Sequence, residues 1–160
     1  MLLNWSYEFY AAARPAQPGR QTCATERHSR RIRVFAQDLA TGRRPWTTAE
    51  ADFLAGLFDQ LGPEWDTTEA TSRDDPLRDA ITRGGPLPYG PCLEAGSGTG
   101  QFTPLLASAF PAVISLDLSE QMLRQAAGRS PSRVRADASA LPLADHSVAA
   151  VAAIDMLLLP

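Results

Sequence analysis

The sequence has no lysine: all 15 basic residues among its 160 are arginine. That absence removes any chemistry built on a lysine nucleophile or on the lysine of a phosphate-binding P-loop. Cysteine is scarce too. Cys23 and Cys92 lie far apart, without the C-x-x-C spacing of a zinc or redox site, and a disulfide framework is not supported. Cys92 opens an apolar segment and reads as an inert buried thiol. Long hydrophobic runs are also missing. The longest, Val148 to Leu159, is broken by Asp155 and falls short of the roughly 20 residues a membrane span needs. The first residues, MLLNWSYEFYAAA, lack a basic leader and are interrupted by Asn4, Ser6 and Glu8, which speaks against a signal peptide. Nor does one sign of charge dominate. A net charge of −3 provides no general attraction to nucleic acid or to an anionic membrane. With 44% hydrophobic and 21% charged residues, the chain is of ordinary globular composition, long enough for one domain or for a small domain with an extension. A reduced, cytoplasmic protein is the expectation.

Two regions differ in pattern. Residues 1–90 read as a helical N-terminal extension or cap. Pro15, Pro18 and Gly19 break the chain before the basic segment TERHSRRIRVFAQDL, which is predicted helical. Ile32, Val34, Phe35 and Leu39 form its apolar side, and Arg27, Arg30, Arg31 and Arg33 form a solvated face or, alternatively, a surface for an anionic ligand or partner. A second helix is predicted from Thr48 to Leu61. Thr47 and Glu50 make a capping box, Phe53, Leu54, Leu57, Phe58 and Leu61 follow at helical spacing, and Gly62-Pro63 ends the run. A third spans Asp75 to Arg83, with Pro76 in its first turn and Gly84-Gly85 after it.

From residue 91 the chain alternates short apolar strands with helices. CLEAG is a strand running into a glycine turn, with a helix following to about Phe110. AVISLD is the second strand, and Ser119 caps a helix carrying Met122, Leu123 and Ala126 that closes at Gly128. RVRA, residues 133–136, is the third strand, and VAAVAAI, starting at Val148, is the fourth. Such alternation predicts an α/β fold: a Rossmann-like doubly wound parallel sheet of about four strands over residues 91–160.

The stretch Leu93-Glu94-Ala95-Gly96-Ser97-Gly98-Thr99-Gly100-Gln101-Phe102-Thr103 carries the chemical signal. Three alternate glycines between a strand and a helix allow a tight turn and let a bound molecule approach the backbone. The spacing is G-x-G-x-G, not the G-x-G-x-x-G of a dinucleotide-binding turn, and Glu94 stands just before it. An acid at that place repels a diphosphate and favours a ligand with positive charge, such as the ammonium or sulfonium of S-adenosylmethionine. Asp117 ends the second strand and Asp137 follows the third, so Glu94, Asp117 and Asp137 are expected along one rim of the sheet. A carboxylate at the second strand end can accept from both ribose hydroxyls, and one at the third from the exocyclic amine of adenine. Asp117 alone is equally compatible with a nicotinamide cofactor.

With LEAGSGTGQFT, SLDLSEQML and RADASALPLADHSVAAV in view, the chain resembles the class I S-adenosylmethionine-dependent methyltransferases over about residues 84–157. The likeness is greatest to the small-molecule group that includes the ubiquinone and menaquinone methyltransferases. The resemblance implies S-adenosyl-L-methionine as cofactor. It implies that Glu94, Gly96, Ser97, Gly98 and Gly100 surround the methionine part, that Asp117 holds the ribose, that Leu118 or Met122 lines the adenine pocket, and that Asp137 with Ala138 reads the adenine edge. It further implies in-line attack of an O, N, C or S atom of a small-molecule acceptor on the sulfonium methyl group, with no nucleic-acid or membrane partner. Family members carry Phe-Asp where this chain has Val148-Ala149, and their fold continues beyond the fourth strand, whereas this sequence stops at Pro160. The expectation is therefore a truncated frame, a fragment, or a protein whose remaining half or partner chain comes from elsewhere, since the fourth strand would otherwise be an exposed edge.

No catalytic residue is assigned. His146 and Asp155 flank the fourth strand, Asp155 nearer the substrate side, and both fit solvated or capping roles better; His28 lies on the basic helix. The apolar faces of the N-terminal helices point to a cover over the pocket. Two other functions compete: a non-catalytic S-adenosylmethionine-binding fragment or interaction module, and, more weakly, an NAD-dependent oxidoreductase.

Overall fold

The computed structural model describes residues 2–4, 23–68, 74–154 and 156. Its centre is a parallel sheet built from β1 (Leu2–Asn4), β2 (Cys92–Ala95), β3 (Val113–Asp117), β4 (Arg133–Arg135) and β5 (Ala150–Ala153), in the order β1-β5-β2-β3-β4. From β2 the chain moves outward through β3 to β4, then returns to the opposite side of β2 as β5. That reversal makes the sheet doubly wound and puts its switch point at the C-terminal ends of β2 and β5. All four residues of β2 are buried, as expected for a central strand covered on both faces.

The α/β pattern is as the sequence predicts, with one addition. Leu2–Asn4, expected within a helical extension, form a strand in register with Val151–Ala153. The edge of β5, expected to lie bare, is thus paired along three residues. An edge strand offers a row of backbone donors and acceptors, and a segment that can extend finds partners there regardless of its own weak local pattern.

Helices α1 (Cys23–Ala40), α2 (Thr48–Thr68) and α3 (Asp74–Arg83) precede the sheet core, and α4 (Thr103–Ala109) and α5 (Glu120–Gln125) follow β2 and β3. Phe35, Leu39 and Leu54 join α1 to α2 through a buried cluster, whereas Val34, assigned to the apolar side of α1, is half exposed. A larger core of Leu77, Cys92, Phe102, Leu106, Val113 and Ala152 joins α3 and α4 to the sheet. The capping box at the start of α2 is present: Thr47 accepts from the N–H of Ala49 at 3.2 Å, and its hydroxyl bonds the Glu50 carboxylate.

The predicted end of α2 at Gly62-Pro63 is wrong. The helix runs through Pro63 to Thr68. A proline in a helix interior costs about 3 kcal/mol, so the continuation must be held by contacts elsewhere. Those contacts are with the sheet domain. Asp59 accepts from the Ser119 hydroxyl at 2.6 Å and from the N–H of Gln121 at 3.0 Å, and Asp66 accepts from the Thr99 hydroxyl and Arg129, each at 2.6 Å. Between them Gly62 lies so near α5 that an added Cβ would be 3.3 Å from the Gln121 Cβ, a separation only a residue without a side chain meets freely.

Candidate functional site

The turn after β2 is built by backbone demands. Gly96, Gly98 and Gly100 adopt φ of +66°, +54° and +74°, a region costly for residues with a Cβ. The N–H of Ser97 donates to the carbonyl of Leu116 at 3.0 Å and that of Gly100 to the carbonyl of Ser97 at 2.9 Å, tying the loop to β3 and to itself. The glycines then divide in what they face. A Cβ on Gly100 would stand 3.1 Å from that of Ala126, so this position is filled by protein. A Cβ on Gly98 would meet nothing within 4 Å, so this side of the loop opens outward.

Beneath the loop, Glu94 is 2% exposed. The register pairs it with Ser115 on one side and Ala152 on the other, which explains its bonds: Oε2 accepts from the Thr103 hydroxyl at 2.5 Å and from the Ser115 hydroxyl at 3.0 Å. Oε1 has no partner among the described residues, nor has the buried Ser97 hydroxyl oxygen. Burial pushes the Glu94 carboxyl up to about 7, against the pull of the Thr103 and Ser115 hydroxyls and with a contribution from the charge of Asp117. Two unpaired buried polar atoms, one of them on a carboxylate, are costly arrangements that native sites keep where a ligand completes them. Cys92, one strand position from Leu93 and fully buried, has its thiol pushed up to about 11 by burial and the nearby Glu94, in keeping with an inert role.

Asp117 and Asp137 stand at the ends of the next two strands, so the three acids line successive C-terminal strand ends as expected. Asp117 is half-buried at the end of β3. Its Oδ2 accepts from the N–H of Gly98 and its Oδ1 from the N–H of Ser119, both at 2.8 Å. Burial pushes its carboxyl above the ordinary range, the N–H groups of Ser119, Gly98 and Leu118 oppose this, and Asp59 adds to the rise. The Asp117 carboxylate therefore keeps acceptor capacity beyond these N–H groups. Asp137 is half-buried just past β4. Its Oδ1 accepts from the N–H of Ser139 and its Oδ2 from the indole N–H of Trp46, both at 2.8 Å. Partial burial tends to raise its carboxyl, but the N–H and hydroxyl of Ser139 and the indole of Trp46 hold it below the ordinary value.

The other expected residues fall in different places. Leu118 is half-buried against the cluster of Phe35, Leu39 and Leu54, and Ala138 is also half-buried. Met122 is 2% exposed in the core, its N–H bonded to the Ser119 cap, and so it is Leu118 that retains surface. His146 is exposed in the turn before β5, and Asp155 lies outside the described residues. Sequence reading missed the contribution of residues 41–68. Trp46, Asp59 and Asp66 all reach the strand ends or the glycine loop, and Arg129 joins them by donating to the Thr99 carbonyl at 3.1 Å. A signal for two of them was present: Asp59 and Asp66 stand seven residues apart on one helical face, legible once α2 is allowed to pass Pro63.

A doubly wound sheet with a glycine loop and three acids along its C-terminal strand ends defines a Rossmann-like fold. Residues 93–159 match the family described as "Methyltransferase domain". The chain is 36% identical over 110 residues to the malonyl-[acyl-carrier protein] O-methyltransferase of Methylococcus capsulatus, covering 63% of this chain and 40% of that protein. It is 34% identical over 109 residues to the demethylmenaquinone methyltransferase of Renibacterium salmoninarum, covering 62% and 45%. The chain spans less than half the length of either curated relative. Among solved structures, Haemonchus contortus phosphoethanolamine N-methyltransferase 1, in complex with phosphoethanolamine and S-adenosylhomocysteine, superposes with a TM-score of 0.54 at 24% identity, covering 72% of this chain and 28% of that one. Residues 93–159 thus match a methyltransferase domain, and the chain shares its Rossmann-like fold with a solved methyltransferase.

Proposed function

We propose that this chain binds S-adenosyl-L-methionine and serves methyl transfer to a small-molecule acceptor in the cytoplasm, with residues 91–160 as the cofactor-binding part and residues 1–90 as its cover. The observation that carries this reading is the buried Glu94 carboxylate, with one oxygen unpaired, beneath a glycine loop whose Gly98 side is open. A free, buried anion in that place favours the ammonium-bearing end of an amino-acid nucleoside and disfavours a diphosphate. Gly98, with Gly96 and Ser97 beside it, lines that end, while Gly100 closes the turn against Ala126. Asp117, held by the N–H groups of Gly98, Ser119 and Leu118, keeps acceptor capacity for the ribose hydroxyls. Leu118 lies against the base, and Asp137 with Ala138 meets the edge of the adenine.

The cofactor supplies an activated methyl group, so the protein's part is orientation and exclusion of water. The Asp59 and Asp66 contacts of α2 hold the Ser119 cap and the glycine loop in place for this. The malonyl-acyl-carrier and demethylmenaquinone methyltransferases among the relatives support a small or carrier-tethered acceptor for this chain as well. Isothermal calorimetry on the purified chain tests the reading. S-adenosylhomocysteine is expected to bind, NAD to bind far more weakly, and Glu94→Gln to weaken the former. Tighter binding of NAD, or no binding of S-adenosylhomocysteine, overturns it. Turnover is a separate measurement, made with S-adenosylmethionine and a panel of carboxylate, phenol, quinol and amine acceptors.

A further inference from the structure

Trp46 is far from the sheet in sequence and touches it at one carboxylate. It precedes the Thr47 cap of α2, whose hydroxyl accepts from the N–H of Ala49. Its ring packs against the cluster of Phe35, Leu39 and Leu54, which Leu118 of the sheet domain also meets. From that anchored position its indole N–H reaches Asp137 Oδ2 at 2.8 Å, across 91 residues of sequence. The other carboxylate oxygen is held by the Ser139 N–H at 2.8 Å. Asp137 therefore has a fixed donor on each oxygen, with the Ser139 hydroxyl as a further one, which sets the plane of the carboxylate and still leaves it acceptor capacity for a ligand amine.

We propose that Trp46 is a positioning residue for nucleobase recognition: by donating to Asp137 it orients that carboxylate, so that the site selects a 6-aminopurine over a 6-oxopurine. The inference rests on the nucleoside reading above and extends it to a residue outside the family-matched segment. An ionised carboxylate has only acceptor sites. It takes a hydrogen bond from the exocyclic amine of adenine and faces the carbonyl of hypoxanthine as acceptor against acceptor. A carboxylate free to rotate would no longer hold its acceptor sites in line with the amine and would lose part of that discrimination. The indole is suited to the task because it is a donor only and because its apolar body is locked by packing.

The test compares S-adenosylhomocysteine with its deaminated counterpart S-inosylhomocysteine, by calorimetry, on the full chain and two variants. The wild type is expected to prefer the adenosine compound. Trp46→Phe keeps an aromatic body without the N–H, and is expected to reduce the preference about tenfold by weakening S-adenosylhomocysteine while leaving S-inosylhomocysteine nearly unchanged, the net worth of about one hydrogen bond. Asp137→Asn is expected to remove the preference. Equal weakening of both ligands by Trp46→Phe, or an unchanged ratio, overturns the inference while the Asp137→Asn result upholds the site. A wild type without preference, or without binding, overturns the nucleoside reading itself and the inference with it. A measurement on the wild type alone covers the case in which Trp46→Phe is too unstable to assay. The Trp46 indole proton is expected to stay protected from exchange when S-adenosylhomocysteine is added, and its release would overturn the proposal.

Discussion

At the scale of single residues, Glu94 sets two measurable pH dependences. Its carboxyl is raised in the folded state from an ordinary value near 4.5 to about 7, so between these pH values the folded chain holds a proton the unfolded chain has lost. The stabilisation this proton represents is present below pH 4.5 and is lost as pH rises to 7, in total about 3 kcal/mol. Urea denaturation without ligand should find the wild type losing stability from pH 5 to pH 8 relative to Glu94→Gln, and parallel curves would contradict the buried, under-bonded carboxylate. Ligand binding should run the opposite way. The ligand's ammonium group is best met by the ionised form, so S-adenosylhomocysteine affinity is expected to be about tenfold weaker at pH 6 than at pH 8, with Glu94→Gln removing the dependence. Asp117→Ala should weaken the same ligand by about 1–3 kcal/mol through the loss of two buried acceptors, and unchanged affinity would count against its ribose role. Glu94 and Asp117 were legible as site candidates because each stands at a strand end beside a local motif. The shift of Glu94 was not, since it depends on Thr103, Ser115 and the burial that folding supplies.

At the scale of elements, α2 is the strut between the N-terminal region and the nucleoside site. Asp59 works as a cap supplied from outside the helix it serves, taking the Ser119 hydroxyl and the N–H of Gln121 at the start of α5. Caps of this kind are worth about 1 kcal/mol. Asp59→Ala is therefore expected to lower stability by about 1–2 kcal/mol in denaturant titration with an unchanged m-value. A loss under 0.5 kcal/mol would mean that α2 merely lies beside α5. The Asp66–Arg129 pair is more exposed and contributes less by its charge than by fixing Thr99 within the loop. Reading Gly62-Pro63 as the end of α2 followed the local rule correctly. The rule fails here because the residues on either side of Pro63 are bonded to the sheet domain, and those bonds offset one missing backbone hydrogen bond.

At the scale of the molecule, the sheet and its covering helices share one buried interface, and Leu106 is fully buried within it. Leu106→Ala should cost about 2–5 kcal/mol, since the cavity would lie between α4 and the sheet where little can collapse. In a chain of this size that lowers the thermal midpoint by about 5–15 °C. Separate melting of the N-terminal helices, with the sheet transition alone displaced, would refute a common core.

By itself the sequence determined the alternation of strands and helices, the glycine turn after β2 and the order of acids at the strand ends. Each of these follows from periodicity, turn chemistry and spacing among near neighbours, and such preferences act before the chain is folded. Only the tertiary structure decided that Leu2–Asn4 pair with β5, that α2 passes Pro63, that Trp46 meets Asp137, and that one Glu94 oxygen has no partner among the described residues. These join residues many positions apart, and their energies exist only where burial has removed water and brought distant groups within bonding distance.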